Sequence, residues 1–192
     1  MMIGEFRATA HGYRADLDGD DSRMLERLAG EILAVLDEPS DLTPLVRAAT
    51  GIESSRPEPG DPTLDNLLPP MSVDPPEAAR LRALTEDFLR SEKSARLRRL
   101  RQDLRASRRE TGGDVLVVRT CVWDWLAALN DLRLALAGEL GIEADEDAHR
   151  VWDQARSGRT EPRLALVSGL YVAVTWWQDS LLRAMREEAP AH

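Results

Sequence analysis

Residues 125–136 read WLAALNDLRLAL. Trp125, Leu126, Leu129, Leu132 and Leu136, extended by Leu140, recur at the three- and four-residue spacing of one helix face, so this stretch is a core helix. At about 100° per residue, Arg133 projects into the middle of that apolar stripe. A guanidinium on a packing face must find polar partners, because an unpaired charge is not tolerated there. The preferred reading is a structural polar cluster of Arg133, Asn130, Asp131, Asp87 and Gln178 that ties three helices together. The alternative is a pocket in which Arg133 clamps an anion with help from Asn130, which would make the chain a small anion-binding protein or enzyme.

Downstream, this helix, about 119–140, ends at Gly141, a natural left-handed terminator. Residues 142–160 are acidic and read as a loop with one helical turn around DAHRVWDQ. Thr160 and Pro162 open a last helix running to about Arg186. Its uncharged run LALVSGLYVAVTWW (164–177) is shorter than the ~20 residues a membrane-spanning helix needs, so it reads as the central helix of the core. Val167, Leu170, Val174 and Leu181 line one side; Ala165, Gly169, Ala173, Trp176 and Ser180 line the other. Central burial predicts that bulk at Gly169 overpacks the second stripe. An interface for a second copy or a protein partner, built from Trp123, Trp176, Gly169 and Ala173, is the alternative, with Trp123 on the outer side of its helix.

Upstream, DVLVV (114–118) reads as a strand that joins an N-terminal hairpin over residues 5–17. A helix follows the hairpin, with Asp20, Asp21 and Ser22 as cap candidates and Pro39 as its end. Residues 39–76 contain nine of the eleven prolines and form a connecting region with short helices at 43–50 and 61–69 and a loop at 51–60. Asp74, Pro75 and Glu77 then open a long helical region. Leu81, Leu84 and Phe88 share one face and Leu97, Leu100 and Leu104 another, which predicts a break or bend near Ser91–Ser94 or a change of partner along the helix.

The chain carries a net charge of −9, yet residues 90–109 hold nine Lys or Arg against Glu92 and Asp103. This block, with Arg96, Arg98, Arg99, Arg101 and Arg105 at its centre, has three readings. It folds against the body's own carboxylates, docks on an acidic partner, or binds a phosphate backbone as a nucleic-acid-binding transcriptional regulator would. The first is preferred, and the acidic remainder disfavours tight nucleic-acid binding.

Catalytic constellations are not evident. His11, His149, His192 and the single cysteine, Cys121, are scattered, so no metal site, cofactor or nucleophile–base pair is expected. DLDGDD (16–21) does not make a calcium loop, because Asp21 stands at the sixth-position glycine and Arg27 at the final glutamate. One cysteine and the absence of a membrane span or signal-like start point to a cytoplasmic chain.

DPTLDNLLP, DPPEAARLRALTEDFLR, WLAALNDLRLALAGELGI and WWQDSLLRAM follow in order. Together they resemble an actinobacterial family of uncharacterised helical proteins, a domain of unknown function whose genes often lie near that of the Clp protease adaptor. The resemblance covers most of the chain and implies architecture without a mechanism; the gene neighbourhood implies a link to regulated proteolysis. The expectation is therefore one mostly α domain over 1–192. It has about five or six helices around the 163–186 helix, with a small antiparallel sheet at the N-terminus. It leans away from an enzyme and towards a regulatory or interaction protein whose partner is unknown.

Overall fold

The computed structural model describes residues 3–37, 61–157 and 161–188. In chain order these form β1 (Arg7–Thr9), β2 (Gly12–Asp16), α1 (Gly19–Leu36), α2 (Pro62–Leu67), α3 (Pro75–Glu110), β3 (Asp114–Val118), a 3-10 turn (Arg119–Cys121), α4 (Val122–Leu140), α5 (Asp145–Ser157) and α6 (Pro162–Glu188). The expected mostly helical fold with a small antiparallel sheet is what the chain forms. The helix expected at 43–50 and the loop at 51–60 lie outside the described residues.

The sheet order is β1-β2-β3, antiparallel throughout. Tyr13 pairs with Val117 and Ala15 with Val115, and all four side chains are buried. The alternate residues Arg14 and Leu116 face outward, the period-two pattern of a sheet with one covered face. Asp18, rather than the residues after it, caps α1 by accepting from the Asp20 backbone N–H at 2.6 Å.

Three expectations need correction. α3 is one uninterrupted helix of 36 residues, about 54 Å long at 1.5 Å per residue. Its apolar face changes because its partners change. Leu97, Leu100 and Leu104 are buried in the second half, whereas Leu84 and Phe88 in the first half are exposed. Second, residues 145–157 are helical rather than an acidic loop. The Asp147 carboxylate reaches back to the backbone N–H groups of Glu143 and Ala144, satisfying donors that a helix start leaves open, and Val151 is buried.

Third, the hub is α4, not α6. α4 packs on α1, α2, α3, α6 and β3, and Trp125, Ala128, Leu129 and Leu132 are almost completely enclosed. α2 comes so close that a Cβ on Gly138 would sit 2.1 Å from the Pro62 carbonyl oxygen, so only glycine fits there. Gly141 ends α4 in the left-handed conformation, as its sequence position suggests. α6 buries Leu170, Val174, Trp177 and Leu181, but a Cβ on Gly169 would meet nothing within 4 Å. The second stripe of α6 is open at Gly169, and overpacking there is not to be expected.

Candidate functional site

The arginine-rich part of α3 lies along α1. Arg98, Arg101, Arg105 and Arg108, spaced three, four and three residues apart, share one helix face. Arg105 Nε donates to Glu26 Oε1 at 2.5 Å, Arg108 donates to Glu26 Oε2, and Arg98 donates to Asp37 Oδ2 at 2.6 Å. Arg90 donates to the Val35 and Leu36 carbonyls at 3.1 and 3.0 Å, satisfying oxygens that the end of α1 leaves open. Ser94 adds a 2.8 Å bond to Asp37. Arg96 and Arg99, on the other side of α3, pair with Glu92 and Asp103. Burial pushes the Glu26 carboxyl up, but the hydrogen bonds from Arg108 and Arg105 outweigh it and hold the group below its ordinary value. The basic block is therefore turned largely onto the body's own carboxylates.

The buried charge of α4 is not Arg133 but its neighbour Asp131, which is 2% exposed. Lys93 on α3 donates to Asp131 Oδ1 at 2.5 Å, while Asp131 Oδ2 has no hydrogen-bond partner among the described residues. Desolvation raises the Asp131 carboxyl above its ordinary value despite the opposing hydrogen bond from Lys93. Arg133 is half-buried and donates to Asn130 Oδ1 at 2.9 Å, and its Nε is buried without a partner. Of the cluster read from sequence, Arg133 and Asn130 meet. Asp131 faces Lys93, and Gln178 donates to the Leu126 carbonyl at 3.5 Å. Lys93 and Glu26 were the residues missed. Each is tied to its partner across a long sequence separation, so no local spacing signals it.

The aromatic residues divide similarly. Trp125 and Trp177 close the core with Phe6, stacked on Trp177 at 4.9 Å between ring centroids and edge-on to Trp125 at 6.3 Å. Trp125 Nε1 donates to Asp103 at 2.8 Å. Trp123 is 70% exposed, as its wheel position predicts. Trp176 and Ala173 are half-buried on α6. Cys121 lies beside Thr120 and the Arg99 guanidinium.

A cleft of about 290 Å³ opens between α1, α4 and α6, next to the first turn of α2. Ile32, Leu136 and Leu170 form apolar walls; Glu31, Glu139 and Arg163 stand among the lining residues, and Arg163 is paired with Glu139. Such a concavity, apolar with a few charged groups, is where a ligand or a partner side chain can be enclosed. Among the described residues no cluster of His, Cys, Asp and Glu is arranged to hold a metal ion, and no helix is long and apolar enough to cross a membrane.

The family described as "Domain of unknown function (DUF2017)" matches residues 2–185. The chain belongs to this family. Among curated proteins it is similar to the oxidative stress regulator AosR of Mycobacterium bovis and of two strains of Mycobacterium tuberculosis. It is 33% identical to each over 147 residues, covering 68% of this chain and 66% of theirs. The chain thus spans just under two thirds of the length of those relatives. No solved structure matches it.

Proposed function

We propose that this chain is a non-catalytic regulator in the response to oxidative stress and acts by binding a protein partner. Its likeness to the mycobacterial regulators supports the first part of this reading. The cleft between α1, α4 and α6 is the observation that carries the second. Its walls are apolar, and Glu31 and Glu139 contribute two carboxylates against the one guanidinium of Arg163. The occupant that suits this chemistry is an amphipathic helix whose apolar side chains enter the cleft and whose basic residues meet the spare carboxylate. Leu166, 51% exposed on the α6 wall, extends the apolar surface that such a helix would cover. Cys121 is flanked by an arginine and a threonine rather than a general base, so a nucleophile–base pair does not support a catalytic reading. Regulated proteolysis, implied by the resemblance alone, is the setting in which we would seek the partner.

Deleting the gene in its native host and challenging the strain with peroxide tests the reading. Reduced survival or altered induction of peroxide-responsive transcripts, restored by the wild-type gene but not by Leu166→Glu, would support it. Survival and transcripts indistinguishable from the parent strain would overturn the stress role. Full rescue by Leu166→Glu would move the partner away from the cleft.

A further inference from the structure

The seam between α1 and α3 carries more positive charge than its carboxylates neutralise. Among the described residues, Arg98, Arg101, Arg105 and Arg108 form ion pairs there with Glu26 and Asp37, and Arg108 also donates to the Ser22 hydroxyl at 2.7 Å. Both oxygens of Glu26 are already taken by Arg105 and Arg108, and Asp37 is held by Arg98 and Ser94. Arg101 is the one left over. It lies 3.9 Å from Glu26, beyond hydrogen-bond range, and makes no hydrogen bond among the described residues; its Nε is buried and unpartnered. A guanidinium in this state has lost water on one side without gaining an acceptor.

Its seat explains a glycine that helix propensity does not. Gly30 lies in the interior of α1, where glycine is about 1 kcal/mol worse than alanine. A Cβ there would lie 3.3 Å from the Arg101 Cζ and 3.4 and 3.5 Å from its two terminal nitrogens, so the whole fork rests on bare helix backbone. Arg27, exposed and one turn before Gly30, shares that side of α1, and Arg98 and Arg105 flank Arg101 by one turn on α3. The Arg101 side chain remains 29% exposed, so its outer edge is reachable from solvent.

The geometry points to an oxyanion site of the phosphate type at Gly30. The Arg101 fork supplies parallel donors to two oxygens, and Arg27, Arg98 and Arg105 supply surrounding charge. The ligand class is a small molecule bearing a free or terminal phosphate group. A tetrahedral dianion brings the acceptor oxygens that Glu26 and Asp37, already engaged by the other arginines and Ser94, do not offer. Gly30 itself points away from the cleft residues Leu28, Ile32 and Val35 of α1, while Arg27 lies one turn before Glu31 at the edge of the cleft.

Inorganic phosphate titrated into the full chain at constant ionic strength, with chloride as the balancing anion, tests this. Calorimetry and the Arg Nε–H resonances are the readouts. Saturable binding that shifts the Arg101 Nε–H signal is expected, and Arg101→Gln should weaken it about tenfold or more, the loss of one charge-assisted fork. Gly30→Asp is the second variant. It places a carboxylate beside the Arg101 fork and should abolish phosphate binding while leaving the chain folded, which keeps the proposal testable if Arg101→Gln does not fold. Phosphate acting no differently from chloride, or both variants binding it as the wild type does, would overturn the site. So would a short DNA duplex displacing phosphate at a far lower phosphate-equivalent concentration, since the ligand would then be a nucleic-acid backbone.

Discussion

The seam between α1 and α3 and the interface between α4 and α6 are built from different chemistry. Between α4 and α6 the contact is dry: Trp125 and Trp177 meet edge to face at 5.8 Å, with Leu129, Val174 and Leu181 fully enclosed around them. Between α1 and α3, Leu25, Ala29, Leu97, Leu100 and Leu104 form a narrow apolar strip, bordered by the arginines that reach Glu26 and Asp37. Cohesion in the first interface comes mainly from burial of large apolar surface, with the exposed Arg163–Glu139 pair contributing little, and responds only weakly to salt and pH. In the second, part of the cohesion lies in ion pairs, which are worth less per contact and respond to both.

The largest effect should come from the dry side. Trp177→Ala removes a fully buried indole that stacks on Phe6 and meets Trp125, and should cost about 3–5 kcal/mol. Denaturant unfolding measures it. A loss below about 1 kcal/mol would mean that α6 docks through other contacts and that the two interfaces differ less than their chemistry suggests.

Asp131 lies on the boundary between the two regimes, buried on α4 yet paired with Lys93 of α3. Asp131→Leu strands the Lys93 ammonium in a site where its side chain is 15% exposed, and should cost about 3 kcal/mol. Lys93→Met added to it should recover much of that loss, because neither charge is then left alone. If the double variant is no better than the single one, the pair is not the unit that holds α3 to α4.

Half-buried Glu26 and buried Asp131 should also respond to pH with opposite signs. Glu26 is held below its ordinary value in the folded chain, so its contribution is present above the unfolded pKa and is lost as pH falls through the folded one. Asp131 is raised, so in the window between its unfolded and folded values the folded state binds more protons, and stability declines as pH rises. Glu26→Gln should therefore flatten the loss of stability in acid, whereas Asp131→Asn should make it steeper. Matching slopes for both variants across the acid range would show that the two carboxylates share one environment.

How much of this was legible beforehand follows from what each residue depends on. The apolar stripe from Trp125 to Leu140, the cap Asp74 and the outward Trp123 are consequences of local spacing, and the structure has them as read. Arg133 was legible as an arginine on a packing face, and Asn130, the side chain it donates to, lies three residues away on the same helix. The burial of Asp131 depends on where Lys93 lands, 38 residues earlier, and wheel geometry alone cannot supply that. The arginine block was legible as a run of charge able to turn onto the body's own carboxylates, while the identity of Glu26 and Asp37 required the docking of α1 on α3. The α5 helix was obscured because its acidic start resembles a solvated loop until the reach of Asp147 back to two backbone N–H groups is seen.

The smallest effect separates two glycines inside helices, one on each side of the comparison. At Gly169 of α6 an added Cβ meets nothing within 4 Å, so Gly169→Ala gains helix propensity with no opposing contact and should stabilise by about 0.5–1 kcal/mol. At Gly30 of α1 the same methyl meets the Arg101 Cζ at 3.3 Å, tighter than an ordinary contact, so the guanidinium must lift from its seat. The propensity gain is the same, but part of it is offset, and Gly30→Ala should fall short of Gly169→Ala by about 0.5 kcal/mol. Parallel urea titrations with a shared m-value resolve a gap of that size. Equal gains at both positions would mean that Arg101 has no fixed place on α1. The seam would then be a loose charge surface rather than a packed one, and the oxyanion site would lose the cradle on which it rests.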